Sequence, residues 1–100
     1  YIKNLKEGKY YTYYKNGNIA TSTPYTKDVK QGYFTAYYKN NKLSEQGWYN
    51  QDYQQGEWRY YYKDGTLQSI NFYHKSKLHG EQQNYNVNGS LNSIIIYEYG

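Results

Sequence analysis

Two histidines, His74 and His79, stand five residues apart near the end of the third quarter of the chain. Two imidazoles on one loop could begin a metal site. A zinc site needs three or four protein ligands, and the chain has no cysteine and no third histidine. Exposed loop histidines are the simpler reading, and no metal ligand is assigned. Asp28, Asp52, Asp64, Glu45, Glu57 and Glu81 are scattered over turns and strand starts. Acid–base catalysis needs carboxylates that converge on one proton path, and no such pair is evident. The serines lack a nucleophile elbow or a neighbouring base. No catalytic or cofactor-binding residue is assigned, and the chain is not expected to be an enzyme. Lys15, Lys39 and Lys63 remain, each within a few residues of tyrosines. Basic and aromatic side chains in alternation can hold single-stranded nucleic acid by charge and stacking. Lysines beside turns also blunt sheet edges and keep them soluble, so nucleic acid ranks low among the expected partners.

The frame that must position these side chains is a repeat. Gly8, Gly32, Gly56 and Gly80 recur every 24 residues. Tyr13, Tyr37, Tyr61 and Tyr85 keep the same step, as do Ile19, Leu43, Leu67 and Leu91, and Tyr25, Tyr49, Tyr73 and Tyr97. A fixed period in this range marks a repeat architecture. The expected organisation is one repeat domain over residues 1–100. A partial copy at 1–7 precedes copies 8–31, 32–55 and 56–79 and a shorter last copy, 80–100.

Each copy reads as a β-hairpin. Asn16-Gly17, Asp64-Gly65 and Asn88-Gly89 have the composition of a type I′ turn, whose two central residues both take positive φ. Asn40-Asn41 holds that place in the second copy, where Asn tolerates left-handed backbone. A second set of turn pairs falls at Lys27-Asp28, Gln51-Asp52, Lys75-Ser76 and Tyr99-Gly100. The predicted fold is all-β: a single-layer antiparallel meander of tandem 24-residue hairpins, with no helix longer than a turn. Eight strands at about 4.8 Å would span about 40 Å, and successive copies would sit about 9.6 Å apart.

A two-residue turn at Asp64-Gly65 puts Tyr62 opposite Leu67. Alternation then places Trp58, Tyr60, Tyr62, Leu67, Ser69, Asn71 and Tyr73 on one face. Arg59, Tyr61, Lys63, Thr66, Gln68, Ile70 and Phe72 take the other. A bulge would change this parity. On the first face Tyr10, Phe34 and Trp58 form a ladder, beside Tyr14, Tyr38 and Tyr62 and the Ile19–Leu91 column. This face is the expected structural spine, with the opening glycines leaving room for rings to lie on backbone.

Composition agrees with a folded chain. Eighteen tyrosines and two tryptophans supply the apolar area that few aliphatics provide. Each such ring can cover roughly 150–250 Å². The absence of cysteine excludes a disulfide framework and a thiolate metal site. No apolar run approaches the roughly 18 residues of a membrane-spanning helix, and no signal peptide is visible. The chain begins at Tyr1 and has no methionine, so it reads as a processed or excised piece, with further repeats expected before Tyr1. Its compartment stays open between cytoplasm and export. A net charge of +4 suits acidic partners. Ile94-Ile95-Ile96 and the mid-copy start imply open strand edges and end-to-end self-association.

The pattern G-x-W-x-x-Y-Y-x-D/N-G-x-L, best seen in GEWRYYYKDGTL from Gly56 to Leu67, resembles the bacterial variant of the MORN repeat. That variant occurs in tandem in the YwqK-type antitoxin family. The resemblance covers nearly the whole chain. It implies an elongated single-layer sheet of hairpins used for binding, with no catalytic residue shared across the family. Asp28, Asp52 and Ser76 depart from the pattern, which places Gly in the second turn; Gln82, Asn86 and Val87 depart from its aromatic columns. Cell-wall choline-binding repeats also pair W-Y-Y with a D-G turn and hold their ligand in aromatic cages. Their period is nearer 20, and Gly47-Trp48 has no counterpart 24 residues away.

The expected function is a non-catalytic protein-interaction scaffold, antitoxin-like or part of a surface adhesin, with no cofactor. The alternative is a module for cell-wall or glycan ligands of the choline type. The second face varies most between copies, and aromatics with Arg are the usual anchors of protein interfaces. Tyr37, Trp48, Arg59, Tyr61 and Phe72 are the expected contact residues.

Overall fold

The structure is a computed structural model that describes residues 5–98. Tyr1 and the turn pair Tyr99-Gly100 lie outside the described residues. The strands are β1 (Gly8–Tyr13), β2 (Ile19–Thr26), β3 (Val29–Lys30), β4 (Gly32–Tyr37), β5 (Leu43–Asn50), β6 (Tyr53–Tyr61), β7 (Leu67–His74), β8 (Lys77–Leu78), β9 (Gly80–Tyr85) and β10 (Leu91–Tyr97). All join one sheet in the order β1-β2-β4-β5-β6-β7-β9-β10, with β3 on β2 and β8 on β7. Every pairing is antiparallel. The sheet measures 54 × 40 × 14 Å. The all-β single-layer meander read from the sequence is the fold.

The turns correct the sequence reading. At Asp64-Gly65 the Gly65 N–H donates to the Tyr62 carbonyl at 2.9 Å and the Tyr62 N–H to the Thr66 carbonyl at 2.8 Å. Gly65 has φ +97°, and Asp64 is not among the residues with positive φ. This is a three-residue loop closed by one left-handed residue, not a two-residue type I′ turn. Gly17 and Gly89 hold the left-handed place in their loops, and Asn41 holds it at φ 72°. The local cause is the residue before it. The side-chain oxygens of Asn16, Asn40, Asp64 and Asn88 each accept the N–H two residues on, which is the geometry of an Asx turn.

The longer loop shifts the register. Tyr60 pairs with Ser69, but Tyr61 pairs with Leu67, leaving Gln68 bulged. Ala20, Ser44 and Asn92 are skipped in the same way. Leu67 therefore stands opposite Tyr61 and not Tyr62, and the Tyr62–Leu67 pairing expected from a two-residue turn is overturned. Beyond the bulge the expected alternation holds. Trp58 pairs with Asn71 and Tyr60 with Ser69 on one face, while Arg59 pairs with Ile70 and Glu57 with Phe72 on the other.

The type I′ pairs are instead the second set of turns. Lys27 and Asp28 have φ 48° and 68°, Gln51 and Asp52 48° and 72°, Lys75 and Ser76 48° and 67°. None is glycine, and each is fixed by the preceding copy. Asp28 Oδ1 accepts the Lys6 N–H at 2.7 Å while the Asp28 N–H donates to the Lys6 carbonyl at 3.0 Å. Asp52 does the same with Lys30, and Ser76 with Gln54. A glycine could adopt the turn but could not supply the side-chain acceptor, which accounts for the departures at these positions.

Candidate functional site

The two faces use their aromatic rings differently. On the Trp58 face the rings pack on one another. Trp58 stacks on Phe34 with centroids 5.7 Å apart and meets Tyr49 and Tyr73 edge-on at 5.0 and 6.2 Å. Its indole N–H donates to the Trp48 carbonyl at 3.0 Å, and its exposure is 0%. The seat for this ring is Gly47, where an added Cβ would lie 2.0 Å from Trp58 Cδ2. Gly8, Gly56 and Gly80 have open space around them and positive φ, so they serve backbone conformation and not the ring seats expected of them. Asn71 donates to the Tyr73 hydroxyl and accepts from Gln82 Nε2 at 2.8 Å, which carries this packed layer into the last copy.

Glu45 lies in the same layer, between Ala36 and Tyr60 across the strands. Burial raises its pKa above the ordinary carboxylate range. Burial also raises the pKa of Tyr60, with its hydroxyl 3.0 Å from that of Tyr73. Both shifts favour neutral forms, as a desolvated layer does.

The opposite face carries the residues expected to make contacts. Trp48 and Tyr33 are direct cross-strand partners and are 46% and 50% exposed. The Tyr33 hydroxyl donates to Gln46 Oε1 at 2.7 Å, and Gln46 Nε2 donates to the Tyr61 hydroxyl at 2.7 Å. Arg59 pairs with Gln46 across the strands and forms an ion pair with Glu57. The Glu57 carboxylate raises the Arg59 pKa, chiefly through their hydrogen bond. Phe72 stands opposite Glu57. Arg59, Tyr61, Trp48 and Phe72 thus gather around β5, β6 and β7. Tyr37 lies two strands from Tyr61, beside its own turn opposite Leu43. Tyr33, Gln46 and Glu57 were missed as site residues. Tyr33 was legible as the partner of Trp48 once strand pairing was known. Nothing in the sequence distinguished Gln46.

Among the described residues no three His, Asp or Glu side chains gather as metal ligands would. No helix among them is long and apolar enough to cross a membrane.

Copies are locked together by side chains reaching backbone one copy on. The hydroxyls of Tyr14, Tyr38 and Tyr62 donate to the carbonyls of Tyr37, Tyr61 and Tyr85 at 2.6, 2.6 and 2.8 Å. Asn16 and Asn40 amides donate likewise to the Lys39 and Lys63 carbonyls. No curated protein and no solved structure matches the chain. The family model described as MORN repeat variant matches residues 6–27 and 54–75. The family's repeats are non-enzymatic modules that generally bind proteins or lipids. With hairpins locked copy to copy across one sheet, the two matches support a MORN-type repeat protein.

Proposed function

We propose that this chain is one repeat domain acting as a non-catalytic protein-interaction scaffold. Its recognition surface is the Arg59 face, with Tyr37, Trp48, Arg59, Tyr61 and Phe72 as contact anchors. The observation that carries this reading is the unequal use of the two faces. Trp58 is enclosed by Phe34, Tyr49 and Tyr73, whereas Trp48 on the opposite face is 46% exposed. Interfaces draw most of their energy from a few aromatic and Arg side chains. Here the Tyr33–Gln46–Tyr61 hydrogen bonds hold such side chains in place before a partner arrives, which lowers the ordering cost of binding.

The partner is another protein, as a toxin would be for an antitoxin or a host molecule for a surface adhesin. Contact between copies through β10, where Ile94 and Ile96 are 48% and 70% exposed, belongs to the same reading. A choline-type cage would need open tryptophans in successive copies. Trp58 is fully buried, so the glycan reading has no second open tryptophan to use.

The test is affinity for a partner captured from the source cell and then purified. Trp48→Ala and Arg59→Ala should each weaken binding tenfold or more while leaving the Tm within a few degrees. Binding unchanged in both variants would sink the proposal.

A further inference from the structure

Two hollows repeat along the sheet edge formed by the first turns. One, of about 510 Å³, is lined by Tyr13, Tyr14, Lys15, Asn16 and Lys39. The next, of about 420 Å³, is lined by Tyr14, Tyr38, Lys39, Asn40 and Lys63. Tyr14, Lys15, Asn16 and Lys39 of the first recur one copy on as Tyr38, Lys39, Asn40 and Lys63 of the second, with Tyr13 completing the first and Tyr14 the second. The rings are fixed, because Tyr14 and Tyr38 donate their hydroxyls to the next copy's backbone at 2.6 Å. The loops are fixed as well by the Asn16 and Asn40 amides at 3.1 and 3.0 Å. Lys15, Lys39 and Lys63 are exposed. Among the described residues the one ion pair is Arg59–Glu57, so no carboxylate neutralises these three ammonium groups by direct contact. The fourth copy places Asn86 and Val87 in the Tyr and Lys columns. The arrangement therefore ends after three cations.

Spacing selects the ligand. Successive copies are separated by two strands, about 9.6 Å. A polyproline II chain has three residues per turn and rises about 3.1 Å per residue, so every third side chain returns to one side after about 9.3 Å. An extended β-strand covers a similar distance in three residues, but its i and i+3 side chains point to opposite faces. A nucleic-acid strand in helical form carries a phosphate about every 3.4 Å, so most of its charges would meet no lysine. Proline-rich segments also suit aromatic-floored grooves, because their backbone is already ordered.

We propose that this edge binds an acidic polyproline II segment. Carboxylates at every third residue pair with Lys15, Lys39 and Lys63, and the intervening prolines rest on Tyr14 and Tyr38. The edge adjoins Tyr37, whose carbonyl accepts the Tyr14 hydroxyl, but none of Trp48, Arg59, Tyr61 and Phe72 lines either hollow.

The experiment uses the whole chain and two labelled nine-residue peptides, read by fluorescence anisotropy. One repeats Pro-Pro-Glu three times; the other has the same composition with its three glutamates contiguous. The spaced peptide should bind at least tenfold more tightly than the block peptide, and added salt should weaken it. Lys39→Glu, at an exposed position, should keep the wild-type Tm and reduce affinity tenfold or more. Lys77→Glu, outside both hollows, should change it less than twofold. Equal affinity for the two peptides, or no loss in Lys39→Glu, would overturn the proposal. So would tighter binding of a thymidine oligonucleotide than of the spaced peptide.

Discussion

Gly47 and Glu45 sit two residues apart on β5 and show how one face of a single-layer sheet becomes an interior. A methyl group at Gly47 would fall inside the Trp58 indole, and that ring has backbone beneath it and three other rings around it. Gly47→Ala should therefore destabilise by about 3 kcal/mol or more, at or above the upper end of the usual range for overpacked sites. Gly56→Ala meets no neighbouring atom and suffers only its φ of +77°. It should cost about 1–2 kcal/mol, the strain of a left-handed non-glycine residue. Urea unfolding of the two variants measures both. Glu45 supplies the pH dependence. Its folded-state pKa is raised by burial, so its favourable contribution is present below the ordinary carboxylate range and fades as pH rises through the raised value. Glu45→Gln should raise the Tm at pH 7, and the gain should vanish in acid. A gain that grew on acidification would mean that Glu45 is stabilised as an anion. The period placed Trp58 in its ladder from the sequence alone. That Gly47 seats it was hidden, because the seat lies on another strand and the glycine occurs once in its column.

At the scale of the elements, both turn families were found in the sequence, but their types were interchanged. Asn-Gly and Asp-Gly read locally as type I′. The Asx bond to the N–H two residues on instead selects a loop one residue longer. That single residue moves Leu67 from Tyr62 to Tyr61. The true type I′ pairs contain Lys, Gln, Asp and Ser, whose positive φ is held by hydrogen bonds to backbone 22 residues earlier. No local rule reports such a partner. Asp52 tests the point. Asp52→Ala loses the bond to the Lys30 N–H and keeps a Cβ at φ 72°. It should cost about 1.5–3 kcal/mol, the loss of a hydrogen bond to a charged group. Asp52→Gly loses the same bond but removes the Cβ from left-handed backbone, so it should cost about 1 kcal/mol less. Equal losses, measured by thermal unfolding, would mean that the side-chain acceptor carries the whole effect.

In the whole molecule, one sheet 14 Å thick must hold itself together without a second layer. It does so on one face. Rings on the Trp58 face pack on each other, and tyrosine hydroxyls at the turn edge tie each copy to the next. The Arg59 face leaves Tyr33 and Trp48 about half exposed beside a hydrogen-bonded Gln46, with Tyr37, Tyr61 and Phe72 half-buried. The meander and the composition of both faces beyond the bulges could be read from alternation and the 24-residue step. The exposure that separates a packed face from an open one could not, because both are rich in tyrosine. The most direct test is hydroxyl-radical footprinting of the protein alone and bound to its captured partner. Trp48 and Phe72 should lose reactivity on binding, while Trp58, already enclosed, should stay unreactive in both states. Protection confined to Tyr10 and Tyr25 on the packed face, with Trp48 unchanged, would contradict the account.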